Sequence, residues 1–102
     1  MHRLITTAGF AALVLGAQVS VAQAATAPHP GRLLASNCFQ CHGTEGRGGF
    51  DRLAGKSASD IYGDMREMQA KSSGNDIMKA HAKGYTDAEL RLIADYFAKL
   101  PR

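Results

Sequence analysis

Cysteine is scarce in this chain, because Cys38 and Cys41 are the only two among its 102 residues. A tetrahedral zinc site normally has four ligands, often from a second cysteine pair, and the sequence has no such pair. Regular alternation of apolar and polar residues is also missing, so the sequence predicts helices rather than strands. The charge is mild, with 12 Lys+Arg against 9 Asp+Glu, and the basic residues are scattered. This distribution excludes the basic patch that is typical of nucleic-acid-binding proteins.

Charge is absent from the stretch between Leu4 and Val21, which consists mainly of apolar and small residues. A basic start, Met1-His2-Arg3, precedes it, and Ala22-Gln23-Ala24 has the small-x-small pattern of a cleavage site. These features predict a secretory signal peptide over residues 1–24, removed after Ala24, and therefore a periplasmic protein. A retained membrane anchor is the alternative. Polar residues within the stretch make it a weak span, so no stable membrane span is expected after cleavage.

The pentapeptide Cys38-Phe39-Gln40-Cys41-His42 has the Cys-x-x-Cys-His pattern of haem c attachment. Each thiol can form a thioether with one vinyl group of the porphyrin, and the adjacent imidazole can bind the iron as an axial ligand. A thioredoxin-like dithiol, half of a zinc site and a structural disulfide are the alternatives. A dithiol motif usually lies in a βαβ context, which this chain lacks. The motif therefore favours one covalent haem, since no internal repeat supplies a second.

The short length of the chain makes such a cofactor important for its folding. Residues 25–30, which contain two prolines, are predicted to form an N-terminal tether, and residues 31–102 a single domain. A domain this short is near the lower limit for a stable hydrophobic core and usually needs a disulfide, a metal or a cofactor. A covalent haem is a large apolar plate that would complete the core. We therefore expect the chain without haem to be largely unfolded.

Helical periodicity and capping residues predict the order of the elements. A short helix is expected over roughly residues 31–39, with Leu33 and Leu34 as its apolar residues. A second helix is expected over roughly 58–71 behind the N-cap Ser57, and the last from a capping box at Thr86 to about residue 100. The predicted buried faces of these two helices are Ile61, Tyr62, Met65 and Met68, and Leu90, Ile93, Ala94 and Phe97.

Two segments between these helices are predicted to be irregular. Residues 43–49 include four glycines, which indicates a loop that approaches another group closely. Packing of this loop against the haem is the expected reason. Residues 77–84 are expected to form a loop or a short helical turn.

A haem iron has a second axial position, and the candidates for it are Met65, Met68, Met78, His81 and, more distantly, His29. Met65 and Met68 lie on the apolar face of a predicted helix, where methionine usually fills the core. Met78 lies in a predicted irregular segment, from which a thioether can face the iron without leaving a core position. His81 could compete with it, and an empty position would indicate gas or peroxide chemistry. A His/Met pair favours Fe(II) and fills the site, so it predicts electron transfer.

Three stretches carry a family resemblance. They are Cys38-Phe39-Gln40-Cys41-His42-Gly43-Thr44-Glu45-Gly46, then Leu53-Ala54-Gly55-Lys56-Ser57, and Met78 followed by Ala82-Lys83-Gly84-Tyr85-Thr86-Asp87-Ala88-Glu89-Leu90. With them the chain resembles class I cytochromes c. More narrowly, it resembles the cytochrome subunit of flavocytochrome c sulfide dehydrogenase and its cytochrome c4-like relatives.

The resemblance implies a small all-α class I cytochrome c fold, with about three to four helices wrapped around one covalent haem. It implies haem c held through Cys38 and Cys41, with His42 and Met78 as iron ligands, because the family's methionine ligand lies four residues before an Ala-Lys-Gly-Tyr run. Related sequences usually have a proline whose carbonyl accepts the ring N–H of the haem histidine. Asp51 or Arg52 stands there in this chain, and a backbone carbonyl can serve equally.

The function that the resemblance implies is electron transfer without catalysis. The chain would be the haem subunit that accepts single electrons from a sulfide-oxidising flavoprotein in the periplasm. Many relatives have two haem domains whereas this chain has one, so a free-standing soluble electron shuttle is the alternative. An open-site haem enzyme or sensor is a further alternative, and carbon monoxide uptake would distinguish it.

Overall fold

The computed structural model describes residue 9, residues 11–18 and residues 27–102. Within these parts the chain forms helices and no strands, which confirms the all-α prediction. The predicted cleavage point after Ala24 lies outside the described residues, as do residues 1–8, 10 and 19–24 of the predicted signal peptide. Residues 11–18 have no regular secondary structure. Nowhere in the described ranges is there a helix with the length and apolar character needed to cross a membrane.

The N-terminal helical segment carries the cysteines. Helix α1 (Arg32–Ala35), a 3-10 turn (Ser36–Cys38) and helix α2 (Phe39–His42) follow one another without a break. The predicted helix over residues 31–39 is therefore present, and it extends as far as His42. Of its two leucines, Leu34 packs against the core, whereas Leu33 is 81% exposed. Ala35 takes the fully buried position of this segment instead.

His29 attaches the start of the domain to the last helix, α5 (Asp87–Lys99). Its Nε2 lies 2.7 Å from a carboxylate oxygen of Asp95, and its Nδ1 accepts a hydrogen bond from the Gly31 backbone N–H at 2.9 Å. Since Nδ1 accepts, Nε2 carries the proton and donates to Asp95. The ring also packs on Tyr96, with ring centroids 5.7 Å apart. The part of the predicted tether that the structure describes is therefore held on α5 by a specific contact.

The two long helices form where capping residues and apolar periodicity agree. Helix α3 (Ala58–Ala70) begins after Ser57, whose hydroxyl accepts from the Asp60 N–H at 3.1 Å. Helix α5 begins after Thr86, whose hydroxyl oxygen accepts from the Glu89 N–H at 3.2 Å. Each cap satisfies one backbone donor that has no partner within its helix. All four residues predicted as the buried face of α5 are buried, as are Ile61 and Met65 of α3; Tyr96 is a further buried residue of α5 that the periodicity did not predict.

Glycine is needed in the loop of residues 43–49 because the loop lies close to other parts of the protein itself. Gly46 and Gly49 have positive φ angles of 68° and 73°, a region that disfavours side chains with a Cβ atom. A Cβ on Gly46 would come within 2.6 Å of the Phe97 ring, and one on Gly49 within 2.0 Å of the Cys41 carbonyl oxygen. The close approaches are therefore to the protein's own core and backbone. None of residues 43–49 lines the cavity beside Cys38 and His42, and packing of this loop against the haem stays a prediction.

Residues 77–82 form a regular helix, α4 (Ile77–Ala82), where a loop or single turn was expected. The Asp76 side chain caps its start by accepting from the N–H groups of Met78 and Lys79, at 3.0 and 3.2 Å. Ala82 at its end is fully buried. Six residues are too few for a helix to be stable alone, so contacts with the rest of the domain must stabilise α4.

Candidate cofactor site

One cavity contains every site residue that the sequence predicted. Its volume is about 390 Å³, and Cys38, Cys41, His42 and Met78 all line it. Pockets of about 300–1,000 Å³ with mostly apolar walls and a few polar groups are typical of cofactor sites. The remaining wall is largely apolar and includes Leu53, Ile61, Met65, Met68, Ile93 and Phe97.

The His42 ring is oriented by a backbone acceptor. Its Nδ1 lies 2.7 Å from the Asp51 carbonyl oxygen, and the residue is only 8% exposed. A carbonyl can only accept, so Nδ1 carries the proton and donates it to this bond. The lone pair of Nε2 is then available for a metal, with the ring tautomer set by the second interaction. Of the two residues expected to supply this carbonyl, the structure identifies Asp51.

The loop that supplies this carbonyl is hydrogen-bonded to the segment of residues 37–42, here called the cysteine turn. The Gly48 N–H donates to the His42 carbonyl at 2.9 Å, and the Phe50 N–H donates to the Cys41 carbonyl at 3.0 Å. These bonds place Asp51 beside the imidazole. The Lys56 ammonium donates to the Asp51 carboxylate at 2.5 Å and holds the pKa of that carboxyl below its usual range.

Both cysteines are free thiols at the cavity. Cys38 is partly buried, and desolvation raises the pKa of its thiol, whereas Cys41 is exposed. They are three residues apart on a continuous helical path, so their side chains lie on the same side of it. The arrangement presents two thiols and one imidazole to a single cavity.

Met78 lines the cavity from helix α4, not from an irregular segment. The irregular segment that the sequence predicted around Met78 is therefore helical, and Met78 as an iron ligand stays a prediction. Met65, Met68 and His81 line the same cavity, whereas His29 does not, because its ring binds Asp95. Met65 is 7% exposed and belongs to the core of α3. His81 lies three residues after Met78 on α4, so the two share a helix face.

Asn37 and Tyr85 are among the polar residues at the cavity that sequence reasoning missed. The Asn37 side-chain amide donates to the Tyr85 hydroxyl at 3.0 Å, and both residues line the cavity wall. Asn37 precedes the first cysteine and carried no signal of its own. Tyr85 was visible only as part of the Ala-Lys-Gly-Tyr run.

The residues at this cavity fit a covalently attached haem. The two thiols match two vinyl attachments, and the imidazole has one nitrogen free for iron. A thioether is present for the other axial position, and apolar walls suit the porphyrin. Among the residues that the structure describes, no group of three or more His, Cys, Asp and Glu side chains is placed to hold a metal ion by itself.

The family of this chain follows from its similarity to known proteins. No protein-family model matches the chain. A protein of Chlorobaculum tepidum named cytochrome subunit of sulfide dehydrogenase is 36% identical over 74 residues, which covers 71% of this chain and 67% of that protein. The chain belongs to this family of c-type cytochromes. Within its described residues the cytochrome is all-α, and Cys38, Cys41 and His42 lie on the wall of its cavity.

Two further relatives of the cytochrome are named thiosulfate dehydrogenase electron acceptor. One, from Thiomonas intermedia, is 32% identical over 104 aligned residues, which covers 98% of this chain and 45% of that protein. The other, from Stutzerimonas stutzeri, is 35% identical over 69 residues, which covers 62% of this chain and 32% of that protein. The cytochrome therefore spans less than half of either of these two relatives. All three names indicate electron carriers in sulfur oxidation.

Proposed function

We propose that this cytochrome is a periplasmic, monohaem electron carrier. One haem c would be attached through Cys38 and Cys41, with its iron between His42 and Met78. The observation that supports this most is the oriented imidazole: His42 donates Nδ1–H to Asp51, which frees Nε2 towards a cavity that Met78 also lines. The electron-carrier names of the relatives support the same role.

Each residue then has a defined task. When bound, the haem supplies a reversible one-electron step at its iron. Cys38 and Cys41 anchor it, and the Asp51 carbonyl holds the His42 tautomer through the second coordination sphere. The Met78 thioether is a soft donor that favours the ferrous state. With His42 and Met78 both holding the iron, no position would remain for a substrate, so the cytochrome would transfer electrons without catalysing a reaction of its own.

The electron donor in this proposal is a sulfide-oxidising flavoprotein, with the cytochrome as its haem subunit. The name of the Chlorobaculum tepidum relative supports a subunit role. The names of the other two relatives favour a second candidate, a free-standing carrier that accepts electrons from a sulfur-oxidising dehydrogenase without being its subunit.

Haem attachment is tested by producing the chain with its own leader in a bacterium that attaches haem c. A pyridine haemochrome spectrum of the periplasmic fraction should show covalent haem c, and mass spectrometry should find one haem per chain with the mass of the form cleaved after Ala24. Cys38→Ser and Cys41→Ser variants should each reduce covalent haem, and the double variant should abolish it. Covalent haem in the double variant would contradict the proposal, as would readily formed carbon monoxide adducts of the ferrous wild type.

The partner is tested by purification from the native cell. A subunit should co-elute with a flavin-containing chain and show flavin absorbance beside that of haem. A free carrier should elute alone near its own mass and be reduced by an added dehydrogenase.

A further inference from the structure

Helix α4, which carries Met78, is held at its C-terminal end by α3. The Gln69 side-chain amide of α3 donates two hydrogen bonds, to the Ala82 carbonyl at 2.7 Å and to the Tyr85 carbonyl at 2.9 Å. The last carbonyls of a helix have no partner within it, so a side-chain donor there stabilises the end. Lys83 adds a reverse bond, from its ammonium to the Gln69 carbonyl at 2.7 Å.

The same segment is also hydrogen-bonded to the cysteine turn. The Tyr85 hydroxyl accepts from Asn37 at 3.0 Å, and Asn37 is the residue before Cys38. Asn37 and Tyr85 are 48 positions apart in sequence, yet both line the cavity. A continuous path of hydrogen bonds thus runs from the cysteine side of the cavity, through Tyr85, to Gln69 on α3.

We propose that Asn37, Tyr85 and Gln69 form a clasp that holds α4 over the cavity, and that this clasp limits how often the Met78 position opens to a small external ligand. The inference rests on the proposed role of Met78 as an iron ligand. The three clasp residues are positioning residues, because they act on Met78 through the backbone of Ala82–Tyr85 and the cysteine turn. None of the three is proposed to bind the iron.

The physical reason lies in the shortness of α4. A helix of six residues has little stability of its own, so its opening depends on the contacts at its ends. An external ligand binds only the open form, and its apparent affinity is therefore proportional to the fraction of molecules that are open. Weakening the clasp should raise that fraction and tighten the binding of an external ligand.

The experiment measures imidazole binding to the oxidised holoprotein by visible absorption. Tyr85→Phe keeps the ring and removes the hydroxyl acceptor, so the apparent Kd for imidazole should fall about 2- to 10-fold, the effect of one net hydrogen bond. Gln69→Leu removes both amide donors and should lower it about 10-fold or more. If Gln69→Leu yields no holoprotein, Tyr85→Phe and Asn37→Ala decide the result.

Two matched controls separate the clasp from general loss of stability. Tyr62→Phe removes a tyrosine hydroxyl on α3. The hydrogen bonds of that hydroxyl go to Asp87 and Arg91 of α5. Ser57→Ala removes the hydroxyl that caps the other end of α3. Both controls should lower Tm while leaving imidazole affinity within about twofold of wild type, because neither changes the contacts of α4.

The outcomes distinguish the clasp from the proposed ligand. If Met78→Ala binds imidazole no more tightly than wild type, Met78 is not a ligand, and the proposed coordination and the clasp both fail. If Met78→Ala binds much more tightly but Tyr85→Phe and Gln69→Leu equal wild type, the coordination stands and the clasp alone is overturned. Equal tightening in the clasp variants and the two controls would also overturn the clasp.

Discussion

The Nδ1 atom of His42 lies 2.7 Å from the backbone carbonyl oxygen of Asp51. The acceptor is a main-chain atom, so the side chain at position 51 need not take part. The Asp51 carboxylate points to a different partner, the Lys56 ammonium. The orientation of the imidazole therefore does not depend on the ion pair between Asp51 and Lys56.

This separation predicts the effect of Asp51→Asn. The variant keeps the carbonyl, so the visible spectrum of the holoprotein should match wild type, while Tm should fall slightly and lose part of its salt dependence. A double variant with Lys56→Gln should add nothing further to the Tm change. A changed Soret band in Asp51→Asn would contradict the assignment of the acceptor to the backbone.

Replacing the proposed thioether ligand should change the iron. In Met78→Ala the ferrous protein should bind carbon monoxide readily, and the weak long-wavelength ferric band expected for methionine ligation should disappear. The reduction potential should fall on the order of 0.1 V or more, within the range of about 0.8 V that axial ligands span. His81→Ala, on the same helix face, should leave the band and potential in place. If the wild type lacks the band, and His81→Ala rather than Met78→Ala opens the iron to carbon monoxide, His81 is the ligand.

Phe97 connects the core, the glycine loop and the cavity. It is fully buried, lines the cavity and lies where a Cβ on Gly46 would collide with its ring. Phe97→Ala should lower the free energy of unfolding by about 3–5 kcal/mol, a large part of the stability of a small domain. Leu92→Ala, a control at a 36% exposed position of the same helix, should change it by about 0.5 kcal/mol or less. Denaturant titration of both holoproteins measures the difference.

Haem should be needed for folding as well as for function. The cavity wall contains core residues such as Ile61, Met65 and Phe97, and a bound haem would supply packing partners for the sides of these residues that face the cavity. The Cys38→Ser/Cys41→Ser variant should therefore show low helicity by circular dichroism and no cooperative melt. Native-like helicity with a sharp transition would contradict this prediction.

Acid should weaken the attachment of the N-terminal segment to α5. Hydrogen bonds from Lys99 and then His29 hold the pKa of Asp95 below its ordinary value of 3.8. The folded state thus binds fewer protons than the unfolded state, so this contribution to stability is present above about pH 4 and is lost as the pH falls through the lowered pKa. Urea unfolding between pH 2 and 7 should show a smaller acid-induced loss for Asp95→Asn than for wild type. An identical pH dependence would exclude this contribution.

Much of the fold could be predicted because its signals are local. Ser57 and Thr86 cap the helices they were expected to cap, and the buried face of α5 follows from its periodicity. Local signals failed at residues 77–82, where a side-chain cap from Asp76 and tertiary support make a helix too short to predict by periodicity. They failed again at Gly46, because its close neighbour Phe97 is distant in sequence.

The sequence by itself predicted the chemistry of the site, because two thiols and an imidazole within five residues have the pattern of haem attachment wherever the segment lies. It also determined the helical class, through apolar spacing and capping residues. Only the tertiary structure decided that the Asp51 carbonyl orients His42, that Met78 and His81 share a helix, and that Asn37 and Gln69 act on the segment after α4. The physical reason is that these relationships use backbone atoms or join residues far apart in the chain, and neither leaves a local pattern in the sequence.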